Sequence, residues 1–433
     1  MFYFDACFFF LLTSTVENLR NKRSLEFENM FDLNVIIVGG GIAGLSTGLF
    51  LLRAGYKVHV YEQAPFILPV GAAISVWSNG VKVMNKLGLG KEMIRLGGRM
   101  DKMIYKTPEG DTMVEMDLQE VYSKSGERAY PVSRADLQQM LMDEYQKAGG
   151  ELTLGKICVS VGKVNPDDAD SKVIAIFDDG SKSSQCDLLI GADGIRSKVR
   201  SYVLDSTIPL RYHYTNWNGL IDFDDKISLS NEWVMWVGDG KRASVMPIAD
   251  RFYFFLGSAL PEDAPGPERG TEAMRDELKQ IFKQFPEGVE RLIDAIDVKK
   301  LNRIPICDID PLDKYYSGRV VLIGDAAHAT TPTLGQGGCQ AMEDAEVLSS
   351  FLISTNISVV DALDRYQKYR MKRTHEMVLK ARERTAIIYS LKDSSVTENW
   401  YSQLKGSEMS GKILKGIAKN LGSSCFPPQT GMS

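Results

Sequence analysis

The chain has 433 residues, of which 44% are hydrophobic and 25% charged, the composition of a globular protein with two or three domains. Lys and Arg number 51 against 56 Asp and Glu, so the net charge of -5 argues against nucleic acid or an anionic membrane surface as the main partner. Six scattered cysteines (Cys7, Cys158, Cys186, Cys307, Cys339, Cys425) form no C-x-x-C pair; they give neither a disulfide framework nor a metal site and suit a reducing, cytoplasmic compartment.

Residues 1–29 read as a disordered extension or a mis-called start, with Met30 as the natural first residue and a cleaved targeting segment as the alternative. Ala6–Leu12 is apolar but too short to span a bilayer, and Asp5 precedes it where a signal peptide carries positive charge. Val35–Val38 is a β-branched run ending in glycines, which predicts a buried strand. Ile42–Ala54 is apolar on most faces and is followed by Gly55, the pattern of a buried helix with a glycine stop. Lys57–Glu62 alternates and completes a β-α-β unit. Ser133 reads as the N-cap of a helix running through Tyr145. Ile174–Phe177 ahead of Asp179-Gly180 predicts a strand and hairpin turn, and Leu188–Ile190 another buried strand.

From Tyr212 to Leu256 the character changes to aromatic, alternating runs, which predict an antiparallel sheet in a second domain. Pro261, Pro265 and Pro267 mark the loop that ends it. Glu272–Ile296 has a helical pattern broken at Pro286. Val320–Ile323 is a strand returning to the first domain, and the chain from Gln340 onward is mostly helical. Trp233 and Trp236 read as core or pocket wall, and Lys372 and Arg373 as a solvated helix face. The last residues, with Ser423, Ser424, Pro427 and Pro428, are polar, so no C-terminal membrane anchor is expected.

Three glycine-rich segments stand far apart in this frame. In Gly39-Gly40-Gly41-Ile42-Ala43-Gly44, Gly39 allows a tight turn, Gly41 admits a pyrophosphate against backbone, and Gly44 permits close helix–strand packing. Glu62, 18 residues beyond Gly44, can accept hydrogen bonds from ribose hydroxyls. Gly191-Ala192-Asp193-Gly194 follows one buried strand, and Gly324-Asp325-Ala326-Ala327-His328 follows another. The Asp325 carboxylate can accept from a ribityl or ribose hydroxyl, or simply cap its turn. Gly335-Gln336-Gly337-Gly338 opens a helix whose amides can face a phosphate or a flavin edge. The basic residues Arg196, Lys198 and Arg200 fit a solvated helix face equally well. Two later returns to one bound dinucleotide suit a large flavin dinucleotide rather than a short NAD unit. His328 is a candidate base or a packing residue, and Cys339 a small residue at a crowded helix start.

These segments, in this order, resemble the group A flavoprotein aromatic hydroxylases over residues 34 to about 400. Finer stretches resemble one branch, the FAD-dependent urate hydroxylases: Val70–Trp77, Asn216–Leu220, Gly240–Arg242 with Met246-Pro247, Arg251–Phe255, and Gly335–Cys339. The resemblance implies an α/β fold: a Rossmann-like FAD-binding domain with an inserted β-sheet substrate domain and a C-terminal helical region. It divides the chain into FAD-binding parts at 30–105, 131–205 and 306–355, substrate-domain parts at 106–130 and 206–305, and C-terminal helices at 356–433. It implies that Ala43, Glu62, Gln63, Ser75, Arg134, Val159, Asp193, Asp325 and the loop Gly335, Gln336, Gly337, Gly338, Cys339 meet FAD, beside Gly39, Gly41 and Gly44 of the fingerprint. Asn216, Arg242 and Tyr253 would meet the substrate, with Arg242 and Tyr253 acting in catalysis.

The implied chemistry is that NADH, a transient co-substrate, reduces FAD. O2 then adds at the flavin C4a position, and the hydroperoxide hydroxylates urate at C5 to 5-hydroxyisourate. The lack of a second fingerprint agrees with the absence of a separate nicotinamide domain. The alternatives are a hydroxylase of a phenolic acid such as salicylate or hydroxybenzoate, a flavoprotein without hydroxylase activity, and a membrane-associated epoxidase.

Overall fold

A computed structural model describes residues 33–66, 73–168, 171–354, 357–389, 400, 402–403 and 407–422. The expectation for residues 1–29 and the Val70–Ala72 part of one family-like stretch lie outside these residues. Among the described residues, two large sheets carry the architecture.

The first has the order β16 (Tyr316–Ser317), β17 (Val320–Leu322), β10 (Leu188–Gly191), β1 (Asn34–Val38), β2 (Lys57–Tyr61), β7 (Glu151–Thr153). β1 pairs in parallel with both β2 and β10, and β10 pairs in parallel with β17. Strands buried on both faces read as continuous apolar runs, and Val35, Ile36, Ile37, Leu188, Leu189, Ile190, Val320 and Val321 are all buried in one core. The register sets Val38 opposite Gly191 and Gly191 opposite Leu322. Because these three strands are parallel neighbours, the three glycine-rich loops leave the same edge of the sheet, where open α/β sheets bind ligands.

The helix Ile42–Arg53 follows β1 and packs into this core. Its entry needs glycine: Gly39 sits at φ +111°, and a Cβ there would fall 2.2 Å from the Ala192 carbonyl oxygen. A Cβ on Gly44 would fall 2.0 Å from the Gly39 carbonyl oxygen. The helix Arg134–Lys147 starts as expected, with the Ser133 side chain accepting from the Asp136 N–H at 3.3 Å. Two small antiparallel sheets stand apart from the first sheet, β3 (Ala73–Val76) with β6 (Tyr130–Ser133) and the hairpin β8 (Cys158–Lys163) with β9 (Val173–Phe177).

The second sheet has the order β15 (Asn302–Asp308), β11 (Arg211–Asp222), β14 (Arg251–Ser258), β13 (Lys241–Ile248), β12 (Glu232–Gly238), β4 (Lys102–Lys106), β5 (Thr112–Asp117). Its central pairs are antiparallel, and β12 meets β4 in parallel. The period of two sorts its side chains cleanly. Trp217, Trp236, Ala243, Val245, Phe252, Phe254 and Leu256 pack on one face with Met274, Leu278, Val289 and Leu292 from the helices Ala273–Ile281 and Glu287–Asp294. The predicted break at Pro286 is the N-cap of the second of these helices. Trp233, Met235, Met246 and Tyr253 belong to a separate cluster on the opposite face, which looks toward the first sheet. The helices Gly337–Ile353, Val359–Ile388 and Ser407–Leu421 complete the chain. No helix among the described residues is long and apolar enough to cross a membrane.

Candidate active site

Two helix starts open onto one trough. The helix Ile42–Arg53 begins at Gly41 with no side-chain cap and no acid in its first turn. The helix Gly337–Ile353 begins at Gln336 in the same way. The two helices pack on each other, and Gly41, Ile42, Ala43, Gly337 and Gly338 line the same cavity. The first N–H groups of a helix lack intrahelical acceptors, and the dipole adds partial positive charge, so both ends suit an anion or a carbonyl edge.

The trough consists of two cavities, of about 300 and 460 Å³, that meet at Gly41, Arg134, Ala192 and Gly194. Gly39, Glu62 and Gln63 line the far end. Glu62 Oε2 accepts from the Gly40 N–H at 2.6 Å and Oε1 from the Ala64 N–H at 2.8 Å, which fixes the carboxylate and leaves further lone pairs for ligand hydroxyls. Arg134 is exposed at its helix start and touches both cavities. Ser75, Asp325, Gly335, Gly337 and Gly338 line the near cavity. A Cβ on Gly41 would meet no protein atom within 4 Å. The fold therefore demands Gly39 and Gly44, whereas Gly41 leaves open room on the wall shared by both cavities.

The other expected residues divide between the wall of the trough and the layer around it. The Asp193 carboxylate accepts from Ser197 Oγ at 2.5 Å, the Lys198 N–H at 2.7 Å and the Val199 N–H at 3.1 Å. It caps the helix Lys198–Leu204, and Asp193 itself lines the far cavity between Ala192 and Gly194, which border both. Arg200, expected on a solvated face, is buried and donates to the Ala326 and Ile195 carbonyls. Val159 is exposed on β8, beside Ile157 and Cys158, which do line the trough. Gly44, Gln336 and Cys339 stand one layer behind the wall. The Cys339 thiol is pushed up to about 12 by burial, which makes it a packing group rather than a nucleophile.

At the near end the second sheet forms the floor. Gly257 of β14 pairs with Asn216 of β11 on one side and Arg242 of β13 on the other. Directly opposed residues point to the same face, so Asn216 and Arg242 flank a glycine gap on the cavity side. Tyr214, Trp233, Met246, Tyr253 and Phe255 surround them. Arg242 is 5% exposed. Its guanidinium lies 4.5 Å from the Phe255 ring centre, with Nη2 at 3.0 Å from Met235 Sδ. It meets no carboxylate among the described residues, and its Nε and the Asn216 Oδ1 are buried without partners. A structural ion pair, the plain reading of a buried arginine, is not what holds it.

Behind the trough lies a buried ionic cluster. Asp344 accepts from the Gly324 N–H at 2.8 Å and lies 2.5 Å from His328 Nε2 and 2.7 Å from Arg370 Nε. Glu343 accepts from Arg370 at 2.5 Å, from Arg373 at 2.7 Å and from Asn79 at 2.6 Å. His328 is thus a buried hydrogen-bonding residue. Arg373 belongs to this cluster and not to a solvated face, whereas Lys372 is exposed as expected. Sequence reasoning missed Arg370 and Tyr214, and treated Trp233 only as possible wall; alternation through Tyr212–Asn218 was the available signal for Tyr214.

The family described as FAD binding domain matches residues 32–381. The FAD-dependent urate hydroxylase of Mycolicibacterium vanbaalenii is 42% identical over 401 residues, covering 92% of this chain and 99% of that protein. The 3-hydroxybenzoate 6-hydroxylase 1 of Aquipseudomonas alcaligenes is 30% identical over 368 residues, covering 83% of this chain and 90% of that protein. The crystal structure of Klebsiella pneumoniae HpxO with FAD and uric acid superposes with a TM-score of 0.83 at 39% identity, covering 90% of this chain and 97% of that one. Two uncapped helix starts, the open room at Gly41 and the carboxylate of Glu62 fit the pyrophosphate and ribose of that cofactor. The chain belongs to the FAD binding domain family and is an FAD-dependent monooxygenase.

Proposed function

We propose that this enzyme hydroxylates urate at C5 to 5-hydroxyisourate, with NADH as reductant and O2 as oxidant. The observation that carries the reading is the buried Arg242 guanidinium, which meets no carboxylate among the described residues, beside the unpartnered Asn216 Oδ1. When bound, FAD supplies the activation of oxygen. The protein's own residues bind, orient and dehydrate the substrate. Arg242 offers a planar fork and a full charge to two acceptors of a urate anion, and so favours the electron-rich form. The free Asn216 Oδ1 accepts from a ring N–H. Burial raises the Tyr253 phenol against the opposing pull of Arg242, so it is a neutral hydrogen-bond donor at physiological pH. Trp233, Met246 and Phe255 wall the ring in and keep water away.

The test is a comparison of urate, xanthine and salicylate with purified enzyme, NADH and O2, following NADH loss and product mass. Urate is expected to stimulate NADH oxidation and to gain one oxygen atom. Stimulation by salicylate with urate untouched would move the assignment to a phenolic acid, whose carboxylate Arg242 could also hold.

The cofactor end gives its own prediction. Gly41 has φ -79°, ordinary for alanine, and open space at its Cβ. Gly41→Ala is expected to leave the circular dichroism spectrum intact while weakening FAD by at least about tenfold, the cost of crowding a fitted ligand. Gly44→Ala, which drives a methyl into the Gly39 carbonyl, is expected to yield little folded protein. Titration of apoprotein with FAD, read by flavin fluorescence, separates the two; equal FAD affinity in Gly41→Ala and wild type would refute the first.

A further inference from the structure

The long helix Val359–Ile388 delivers one more group to the substrate floor. Tyr389, its C-cap residue, is buried and stacks on Tyr214 with ring centres 3.8 Å apart and planes 14° from parallel. A Cβ on Gly257 would fall 2.3 Å from the Tyr389 hydroxyl oxygen. Gly257 lies between Asn216 and Arg242 in the sheet. The hydroxyl therefore occupies the place of the missing Gly257 side chain, between those two residues. Three buried polar atoms around Gly257 have no hydrogen-bond partner among the described residues, one another included: Asn216 Oδ1, Arg242 Nε and the Tyr389 hydroxyl. Burial pushes the Tyr389 phenol up to about 12 even though Arg242 and Tyr214 lower it, so the group is neutral and able both to donate and to accept.

Neither feature is explained by stability. Glycine in a strand interior weakens a sheet, and an unpartnered buried hydroxyl is unfavourable. A phenylalanine at 389 would stack on Tyr214 just as well. Buried polar groups left unsatisfied in a binding cavity are the usual mark of partners supplied by a ligand.

We propose that Tyr389 is a further residue of the substrate site: its hydroxyl, admitted by Gly257 beside Asn216 and Arg242, offers a third donor and acceptor to the alternating C=O and N–H edge of a planar heterocycle. The proposal rests on the assignment of Asn216 and Arg242 to substrate binding. It makes Gly257 a specificity determinant, because any larger residue displaces the hydroxyl.

The test is Tyr389→Phe, with Gly257→Ala as a second variant. In Tyr389→Phe the ring stack is kept, so FAD content, melting temperature and the KM for NADH are expected to match wild type. KM for urate, and the Kd read from the urate-induced change in the flavin spectrum, are expected to rise roughly tenfold, the effect of one hydrogen bond, with kcat changed much less. Gly257→Ala is expected to raise the same two constants at least as far. Urate constants within twofold of wild type in Tyr389→Phe overturn the proposal, as does an equal rise in the KM for NADH, which marks general damage. If wild type responds to salicylate rather than urate, the activity reading fails separately, and the Kd ratio measured with salicylate still decides on Tyr389. A flavin spectrum that neither ligand perturbs overturns both.

Discussion

Arg242→Ala is expected to lower kcat/KM for urate by about 10²–10⁴, equivalent to ~3–5 kcal/mol of transition-state stabilisation. The size follows from burial. A guanidinium that is 5% exposed acts on an anion through low-dielectric surroundings, where charge–charge and charge-assisted hydrogen bonds are far stronger than in water. The same burial sets the sign of the stability change. Among the described residues Arg242 meets no carboxylate, and Phe255 and Met235 are the contacts that offset its desolvation. Removing it is expected to leave the ligand-free melting temperature unchanged or higher, and FAD content intact, because the glycine loops proposed to hold the cofactor lie on the other sheet. An arginine in a structural ion pair would behave oppositely, losing stability along with activity. Steady-state kinetics and thermal melts on one preparation settle the matter: wild-type turnover of urate, or a melting temperature several degrees lower, refutes the role. Arg242→Lys keeps the charge but not the fork, and is expected to recover only part of the loss.

The cofactor half of this arrangement was legible in the chain because it is local. Each glycine segment directly follows an apolar strand, and parallel neighbours carry their following loops to one edge. The substrate floor was legible only as alternation. Asn216, Gly257 and Arg242 form a row through the order β11-β14-β13, which is not chain order, and no pattern within a strand names its neighbour. Tyr389 was invisible for the same reason: it sits past the end of a polar helix and reaches the site through tertiary packing alone. Arg373 was misread because a helix rich in Lys, Arg and Glu looks solvated by composition. The contrary signal lay elsewhere, in Glu343 and Asp344, two adjacent acids inside the largely buried helix Gly337–Ile353. Buried carboxylates require cations, and Arg370 and Arg373 supply them.

That cluster predicts the second large effect. Arg370 is fully buried, and its guanidinium bonds Asp344 Oδ1 at 2.7 Å, Glu343 Oε2 at 2.5 Å and Gln340 Oε1 at 2.8 Å. Arg370→Ala leaves two carboxylates in the core with one partner cation fewer and is expected to cost about 3–5 kcal/mol of stability at pH 8. The pH dependence identifies the cause. Burial pushes both carboxyls up, but Arg370, with Arg373 on Glu343 and His328 on Asp344, outweighs it and holds each at about 2, below the ordinary 4.5 and 3.8. In wild type their stabilisation is therefore complete above about pH 5 and is lost as pH falls toward 2. Without Arg370 the pull that opposes burial is weaker, so both folded carboxyls are expected to move up, and acidification is expected to relieve part of the strain. The penalty at pH 5 is then expected to be smaller than at pH 8, a sign opposite to that of a simple loss of packing, which would be the same at both. Denaturant titrations of both proteins at the two pH values measure it; equal penalties would refute the electrostatic account. FAD should be released with the fold, because Asp344 holds the Gly324 N–H ahead of Asp325, and Gln340 and Asn79 hold Gln336 ahead of Gly337. One buried guanidinium thus supports both loops that line the near cavity, although it does not line that cavity itself.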